Sequence, residues 1–423
     1  MEFPAKRVLI LGAGFGGLYT ALGLEKTVAR DPDIRVRIVN RENHSLFTPM
    51  LHEVAASDLD MTHIVNPIRN LLKHVQFFNG EVQAIDLAAN RVTVVHGRQR
   101  HAHELGYDYL VIALGSTTNF FGLAGLEHRA LTIKSLRDAI YLRNHLIDLL
   151  EQADFECMAA ARPELLTVVV AGGGFAGAET IAGINDFLRE SVRFYRHLSK
   201  EWIRVILVHP GQVILPELGP KLGEYAQKEL AQRKVEIRLN TNVARVDDHA
   251  AYSSDGSCIP TQTAVWTAGT SPNPLVGMLP CKQDRGLIVA NEYLELPDWP
   301  GVWALGDCSS VVDPNTGRSF PPTAQHAVRQ GRIVAKNVTA AIRGGSKTAF
   351  SFSTLGLLAA IGRRTGVANI LGANFSGFVA WFLWLTIYLS KLPRSEKKLR
   401  VALDWMLDLL FSKDIVSFLD RRS

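Results

Sequence analysis

Two glycine-rich turns, each wedged between an apolar run and a helix-forming run, set the tightest limit on what this chain can fold into. In the first, Arg7-Val8-Leu9-Ile10-Leu11 reads as a buried parallel strand. Gly12-Ala13-Gly14-Phe15-Gly16-Gly17 follows without a spacer, and Leu18-Tyr19-Thr20-Ala21-Leu22 opens a helix. The order strand, G-x-G-x-x-G, helix gives the glycines meaning, since a glycine triplet alone is common. Gly12 permits the tight turn and Gly14 lets the backbone approach a pyrophosphate. Gly17 lets helix and strand pack closely, with the phosphates on the helix N-terminus. Leu166 to Ala171, Gly172-Gly173-Gly174-Phe175-Ala176-Gly177 and Ala178 to Gly183 repeat the pattern, with Gly172, Gly174 and Gly177 in the same roles. Two such units predict an α/β protein with two Rossmann-like dinucleotide-binding domains. One dinucleotide is expected to stay bound and the other to come and go as substrate.

The strand that follows each turn ends without the acid that usually holds a ribose diol. Ile34 to Val39 ends at Asn40, whose amide can still hold a hydroxyl, and Ile203 to Val208 ends at His209. His209 fits stacking on an adenine, meeting a 2′-phosphate when protonated, or a plain strand end, so NADH and NADPH stay equally open. Phe15, Gly16, Arg41 and Val82 are further candidates at the first nucleotide, and Phe175 and Ala176 at the second. Tyr109 to Ser116, with Ala113 and Gly115, and Ala264 to Thr270, with Ala268 and Gly269, are strands ending in small-residue turns that let the chain pass close to a cofactor. Gly301 to Cys308 supplies another strand, ending in Gly306-Asp307, where the Asp can accept a hydrogen bond from a ribityl chain.

The cysteines narrow the chemistry. Cys157, Cys258, Cys281 and Cys308 are scattered with no Cys-x-x-Cys pair, which argues against a disulfide scaffold, a zinc ribbon and a dithiol redox centre; no metal site is expected. In order and spacing the segments resemble the two-dinucleotide-binding-domain flavoproteins of the glutathione-reductase-like class. The missing cysteine pair disfavours both the disulfide reductases and the sulfide:quinone reductases. Pro321-Pro322-Thr323-Ala324-Gln325-His326-Ala327-Val328-Arg329-Gln330-Gly331 resembles the Ala-Gln-x-Ala-x-Gln-Gly segment of the type II NADH:quinone oxidoreductases, with Arg329 where Gln is common. Asn43 to His52 and Phe350 to Ala368 resemble further segments of that family. The resemblance spans essentially the whole chain. It implies non-covalently bound FAD, NADH or NADPH as substrate and a membrane quinone as acceptor. The domain expectation is 1–120 with 270–345 for FAD, 121–269 for NAD(P)H, and 346–423 as an amphipathic helical membrane-binding region.

Charge points at the tail. The chain carries a net charge of +5. From Arg363 onward ten basic residues outnumber five acidic ones, so the preceding 362 residues are balanced. A balanced body offers no basic stripe for nucleic acid. Gly366 to Ser390 has no charged residue, but Asn369, Gly372, Asn374, Ser376 and Gly377 interrupt it, leaving the firmly apolar part too short to span comfortably. Val401 to Phe411 reads as an amphipathic helix, with Asp404 and Asp408 on one face and Trp405 and Leu409 on the other. Aromatic and basic residues at its edges suit a helix lying in the headgroup region. A buried core helix or a homodimer interface would use the same apolar stretch. The start, Met-Glu-Phe-Pro-Ala-Lys-Arg, shows no signal-peptide pattern, so the body is expected on the cytoplasmic face of the cell membrane as a peripheral, monotopic protein.

The expected reaction passes hydride from the nicotinamide to the flavin and two electrons on to quinone, without proton pumping. Glu179, just past Gly177, is expected to face the flavin–nicotinamide junction, orienting the carboxamide or relaying a proton. An acid favoured by the helix dipole explains the same residue. Gln325 is the candidate for quinone contact, with His326 beside it as a possible proton donor. A soluble NAD(P)H-dependent flavoprotein reductase of a protein electron carrier is the alternative, and a redox-sensing flavoprotein a third.

Overall fold

The computed structural model describes residues 6–155 and 162–417; Cys157, Asp420, Arg421 and Arg422 lie outside them. The chain divides into two compact units. The first holds Met1–Leu46, Val65–Thr117 and Thr270–Thr354; the second holds Phe47–Ile64, Thr118–Gly269 and Leu355–Ser423.

The first unit is organised by a five-stranded parallel sheet in the order Val302–Ala304, Tyr109–Ile112, Lys6–Leu11, Ile34–Asn40, Gln76–Asn79. Val8 to Leu11 and Leu110 to Ile112, in the middle strands, are unbroken Val, Ile and Leu because both faces are covered there, as parallel sheets require. Ile10, Ile38 and Val111 pack toward the helix side, and Leu9, Leu11 and Ile112 toward an antiparallel three-stranded layer, Glu81–Asp86, Arg91–His96 and His101–Gly106. On the helix side, Phe15–Glu25 lies against Ala324–Arg343. Gly331 allows this closeness, since a Cβ there would sit 2.4 Å from the Gly16 carbonyl oxygen.

The second unit repeats the plan with a four-stranded parallel sheet in the order Val235–Arg238, Arg204–Val208, Thr167–Ala171, Thr263–Trp266. Its long helix Phe175–Ser191 follows the second glycine turn. The short helix Leu51–Ala55, far earlier in sequence, belongs to this unit and packs against Phe175–Ser191 and Leu136–Phe155.

The tail departs from an all-helical region. Gly356–Ala360, Gly366–Ile370 and Ala373–Ser376 form an antiparallel sheet, and helices Gly377–Lys391 and Ser395–Leu410 follow. Of the polar and glycine residues that interrupt the apolar run, Asn369, Gly372, Asn374 and Ser376 lie in this sheet and its turn, and Gly377 opens the helix that follows. Leu371 and Gly372, with φ of 50° and 85°, make the two-residue hairpin turn between its last strands. Among the described residues no helix is long and apolar enough to cross a membrane.

The amphipathicity of Ser395–Leu410 is inside out. Lys397 and Val401 are buried, Asp404 pairs with His63, and Asp408 faces Arg363 at 3.5 Å. Leu399 and Leu410, at 72% and 77% exposure, stand outward with Leu403, Met406 and Leu409. Trp405 lies on the acids' side of the helix rather than opposite them, because its indole N–H finds a carboxylate there, Glu53 at 3.1 Å.

Gly331→Val drives a branched side chain into the Gly16 carbonyl, and overpacking of this kind costs about 1–3 kcal/mol. The expected result is a lower urea midpoint with loss of the bound nucleotide. An unchanged midpoint would show that the two helices separate freely.

Candidate functional site

In each unit the glycine turn makes the same cradle. Gly12 has φ of +94° and a Cβ there would lie 2.3 Å from the Ala113 carbonyl oxygen. Gly172 has φ of +108° and would meet Thr267 Oγ1 and the Ala268 backbone at 2.8–2.9 Å. At Gly17 and Gly177 a Cβ would strike the carbonyl oxygens of Gly12 and Gly172 at 1.9 and 1.7 Å. These four positions pull helix and strand together. Gly14 and Gly174 differ in having nothing within 4 Å. Each is the N-cap residue of its helix, and no side chain caps either helix there. An open N-terminus with a positive dipole end and no Cβ in the way is what a pyrophosphate needs. The residues present therefore fit two dinucleotides, and Phe15, Gly16, Phe175 and Ala176 lie in the two helices' first turns.

Asn40 and His209 share a role that the missing acids obscured. Asn40 Oδ1 accepts the Ala13 N–H at 2.9 Å while its Nδ2 donates to the Glu42 carbonyl at 2.8 Å. His209 Nδ1 accepts the Gly173 N–H at 3.1 Å. Both strand-end side chains brace the residue between the first two glycines of their turn. Burial lowers the His209 pKa, opposed by a backbone hydrogen bond at Val213 and by Glu217. An Nδ1 that accepts carries no proton, so this imidazole is neutral and is not a cation for a 2′-phosphate. Arg41 is exposed and pairs with Glu42 at 3.5 Å, and Val82 is half-buried where its strand leaves the Gly80 turn.

Around the first cradle, Asp307 Oδ2 accepts from Ser116 Oγ at 2.9 Å, linking the Gly306 turn to the turn that carries Ala113 and Gly115. The Ala-Gln-His-Ala-Val-Arg-Gln-Gly segment separates into packing and chemistry. Gln330 Oε1 accepts the Gly306 N–H at 2.8 Å, Ala327 sits under Gly306, and Gly331 meets Gly16. His326 is buried against Phe320 and Phe352, with ring centroids 5.7 and 5.0 Å away, and its Nδ1 lies 2.7 Å from the Thr323 hydroxyl that caps the helix. Burial and the neighbouring Arg329 lower its pKa. His326 is thus held as a packed, neutral ring. Arg329 lies over the Phe352 ring at 3.8 Å and donates to the Gln325 carbonyl at 2.9 Å. Ala324 and Gln325 stand in the helix's first turn, both half-buried. Cys308 is buried in the adjoining core and its thiol is pushed up to about 11 by burial, the opposite of a reactive thiolate.

In the second unit Glu179 is buried. Its Oε1 accepts the Ala360 N–H and the Trp384 indole N–H, both at 3.1 Å, and its Oε2 lies 3.8 Å from His52 Nδ1. Burial pushes its pKa up to about 8 against these two donors, so at neutral pH it is a carboxylic acid carrying a proton. Ala268 lies beside Gly172, and Gly269 leaves room for the Phe121 ring. His52 and Trp384 were not singled out from the sequence. The signal available was a His-Glu pair inside an otherwise apolar run, Phe47 to Ala56.

A pyridine nucleotide-disulphide oxidoreductase family model matches residues 6–331, and an NDH2 C-terminal domain model matches 355–414. The type II NADH:quinone oxidoreductase Ndh of Mycobacterium tuberculosis is 31% identical over 96% of this chain and 89% of its own length. A probable NADH dehydrogenase of Dictyostelium discoideum is 30% identical over 98% of this chain and 91% of its own. In fold, the chain matches NDH2 of Plasmodium falciparum, solved in complex with NADH, with a TM-score of 0.88 over 97% of this chain and 99% of that one, at 19% identity. Paired cradles, a tail with its own family match and full-length similarity to these relatives agree: the chain belongs to the type II NADH:quinone oxidoreductases, within the pyridine nucleotide-disulphide oxidoreductase family.

Proposed function

We propose that the protein is a membrane-bound, FAD-dependent NAD(P)H:quinone oxidoreductase that pumps no protons. The observation that carries this reading is the pair of matching cradles, each open at its second glycine. Residues 1–120 and 270–345 hold FAD without a covalent bond, 121–269 take NADH or NADPH, and 346–423 bind the bilayer. Bound FAD supplies the two-electron redox chemistry that links hydride donor to quinone. The chain's residues do the rest. Gly14 and Gly174 present the helix N-termini to the two pyrophosphates, and Asn40 and His209 keep the turns in shape. Asp307 offers a carboxylate to the ribityl chain from a position fixed by Ser116. Gln325 supplies an amide to a quinone carbonyl. Glu179 holds a proton at neutral pH in a dry setting, where giving it to a reduced quinone oxygen is favoured over leaking it to water.

The outer faces of helices Gly377–Lys391 and Ser395–Leu410 support a lipid contact. Phe378, Val379, Phe382, Leu403 and Met406 are all more than half exposed, with Lys391, Lys398 and Arg400 beside them. An apolar face with a basic rim suits an anionic headgroup region better than a second copy or a soluble carrier.

The purified protein is expected to be yellow, to bleach anaerobically with NADH, and to recover its colour with a short-chain quinone; a colourless protein would refute the reading. Glu179→Gln and Gln325→Ala should cut quinone turnover by about 10²-fold or more with flavin retained, the usual scale for a positioned acid. Wild-type turnover would remove that residue from the reaction. Replacing Leu399, Leu403 and Met406 together by Glu removes about 1.5–3 kcal/mol of burial per side chain. It should abolish co-sedimentation with anionic vesicles, and undiminished binding would exclude this face.

Glu179 also carries a pH signature. Between the ordinary value of 4.5 and about 8 the folded chain keeps a proton that the unfolded chain has released. Stability from this group is therefore present at low pH and lost as pH rises through that window. Glu179→Gln should flatten the fall in urea midpoint between pH 5 and pH 8, and an unchanged slope would show that Glu179 ionises normally.

A further inference from the structure

We propose that Asp58, Glu53 and His52 form a proton-delivery route running from an acidic surface cleft to Glu179. This rests on the reading of Glu179 as the proton-bearing acid of a quinone reductase. The net reaction, NADH + H⁺ + quinone → NAD⁺ + quinol, consumes one proton from water per turnover. Glu179 is buried, so the proton needs a way in. Its two hydrogen-bond donors are no help, because a backbone amide and an indole N–H donate without accepting. Two titratable side chains face it: the Tyr388 phenol, whose pKa is raised by burial and by Glu179, and His52, whose Nδ1 lies 3.8 Å from Oε2 and which leads back toward the surface through its own helix.

His52 lies edge-on to the Trp384 ring, with centroids 5.7 Å apart, and is held neutral, its pKa lowered to about 3 by burial and by Lys413. A neutral imidazole has one donor and one acceptor nitrogen and passes a proton by gaining it on one while losing it from the other. Glu53 is the next residue on the same short helix. Burial and Asp58 push its pKa well above the carboxylate range, with Glu179 adding to the effect and Trp405 and Lys413 opposing it. Its two oxygens accept the Trp405 indole N–H at 3.1 and 3.3 Å. Asp58 comes next outward, touching Lys413 Nζ, and its pKa is raised to about 6 by burial against the pull of Lys413. Asp408 and Asp186 raise it further.

Asp58 and Lys413 line a surface cleft of about 410 Å³, together with Asp60, Asp404, Asp408 and Arg143. Carboxylates at the mouth gather protons from solvent, and the two buried glutamates hold them inside, with neutral His52 between Glu53 and Glu179 as a relay that need not store the proton. The two buried acids share one design. Each glutamate is gripped by a tryptophan from a different tail helix, and the two indoles lie 6.1 Å apart. Such grips fix the carboxyl groups without offering the proton another exit.

The test uses the full-length holoprotein in vesicles. Glu53→Gln keeps the shape and the acceptor for Trp405 but removes the exchangeable proton. Flavin bleaching by NADH should keep its wild-type rate. Quinone turnover should fall about tenfold or more at pH 8, with an enlarged solvent deuterium isotope effect. Millimolar formate or azide, as small weak acids, should restore it. Asp58→Asn should behave alike and serves if Glu53→Gln loses flavin. Wild-type turnover and isotope effect in both variants, or a loss that weak acids fail to rescue, overturns the route. If Glu179→Gln abolishes turnover while both of these variants turn over normally, only the route fails; if Glu179→Gln is itself fully active, the underlying reading fails with it.

Discussion

The contact on which the structure depends is the approach of the Gly17 and Gly177 α-carbons to the carbonyl oxygens of Gly12 and Gly172, too close for any side chain. It sets each long helix against its strand at a fixed distance and leaves the helix N-terminus pointing into open space at Gly14 or Gly174. From that follow the parallel sheets, since a strand that runs into such a helix must return through a crossover. The chemistry of each unit follows as well, since an anion is the natural occupant of an uncapped helix start. Asn40 and His209 then explain themselves. Each gives its acceptor to the turn's backbone and so braces its cradle.

How much of this was legible depended on whether the signal was local. The fingerprints, the strands around them and the uncharged stretch after Gly366 are written in contiguous residues, and the α/β class with two nucleotide units followed from them. The tail sheet was missed because Leu371-Gly372, a turn signal, sat inside a run whose hydropathy suggested only helix. The inward face of Ser395–Leu410 was misassigned because helical spacing groups residues by angle but does not say which side meets protein. Asp404 and Asp408 point inward only because His63 and Arg363, hundreds of residues and tens of residues away in sequence, are there to receive them. Glu179 was found from its place after Gly177, yet its setting was not. His52 and Trp384 come from distant segments, and no periodicity links them.

The same non-local logic separates the Ala324–Gly331 motif into two halves. Gln330, Ala327 and Gly331 are spoken for by Gly306 and Gly16, and His326 by Phe320, Phe352 and Thr323. A histidine beside a candidate site invites an acid–base role, but an imidazole packed against two phenylalanine rings and tied to a cap is more useful as a wedge that orients the first turn. Gln325 sits half-buried in that same first turn.

The tail therefore serves two purposes with opposite demands. Its outer surface is apolar and wants lipid, whereas its inner surface delivers Trp384, Trp405, Asp408 and Lys413 to a cluster of buried acids. An inert anchor would have no reason to bury an ammonium group or to spend two indole N–H groups on glutamates. Desolvating Glu53, Asp58 and Glu179 is costly, and the cost is tolerated only where neutral carboxyl groups or a paired cation are the result. A lysine beside Asp58 at the outer end and neutral acids at the inner end divide the cluster into a charged mouth and a protonated interior. The two helices that carry the exposed apolar face also carry Trp384 and Trp405, so the same elements present an apolar surface outward and hold Glu179 and Glu53 inward.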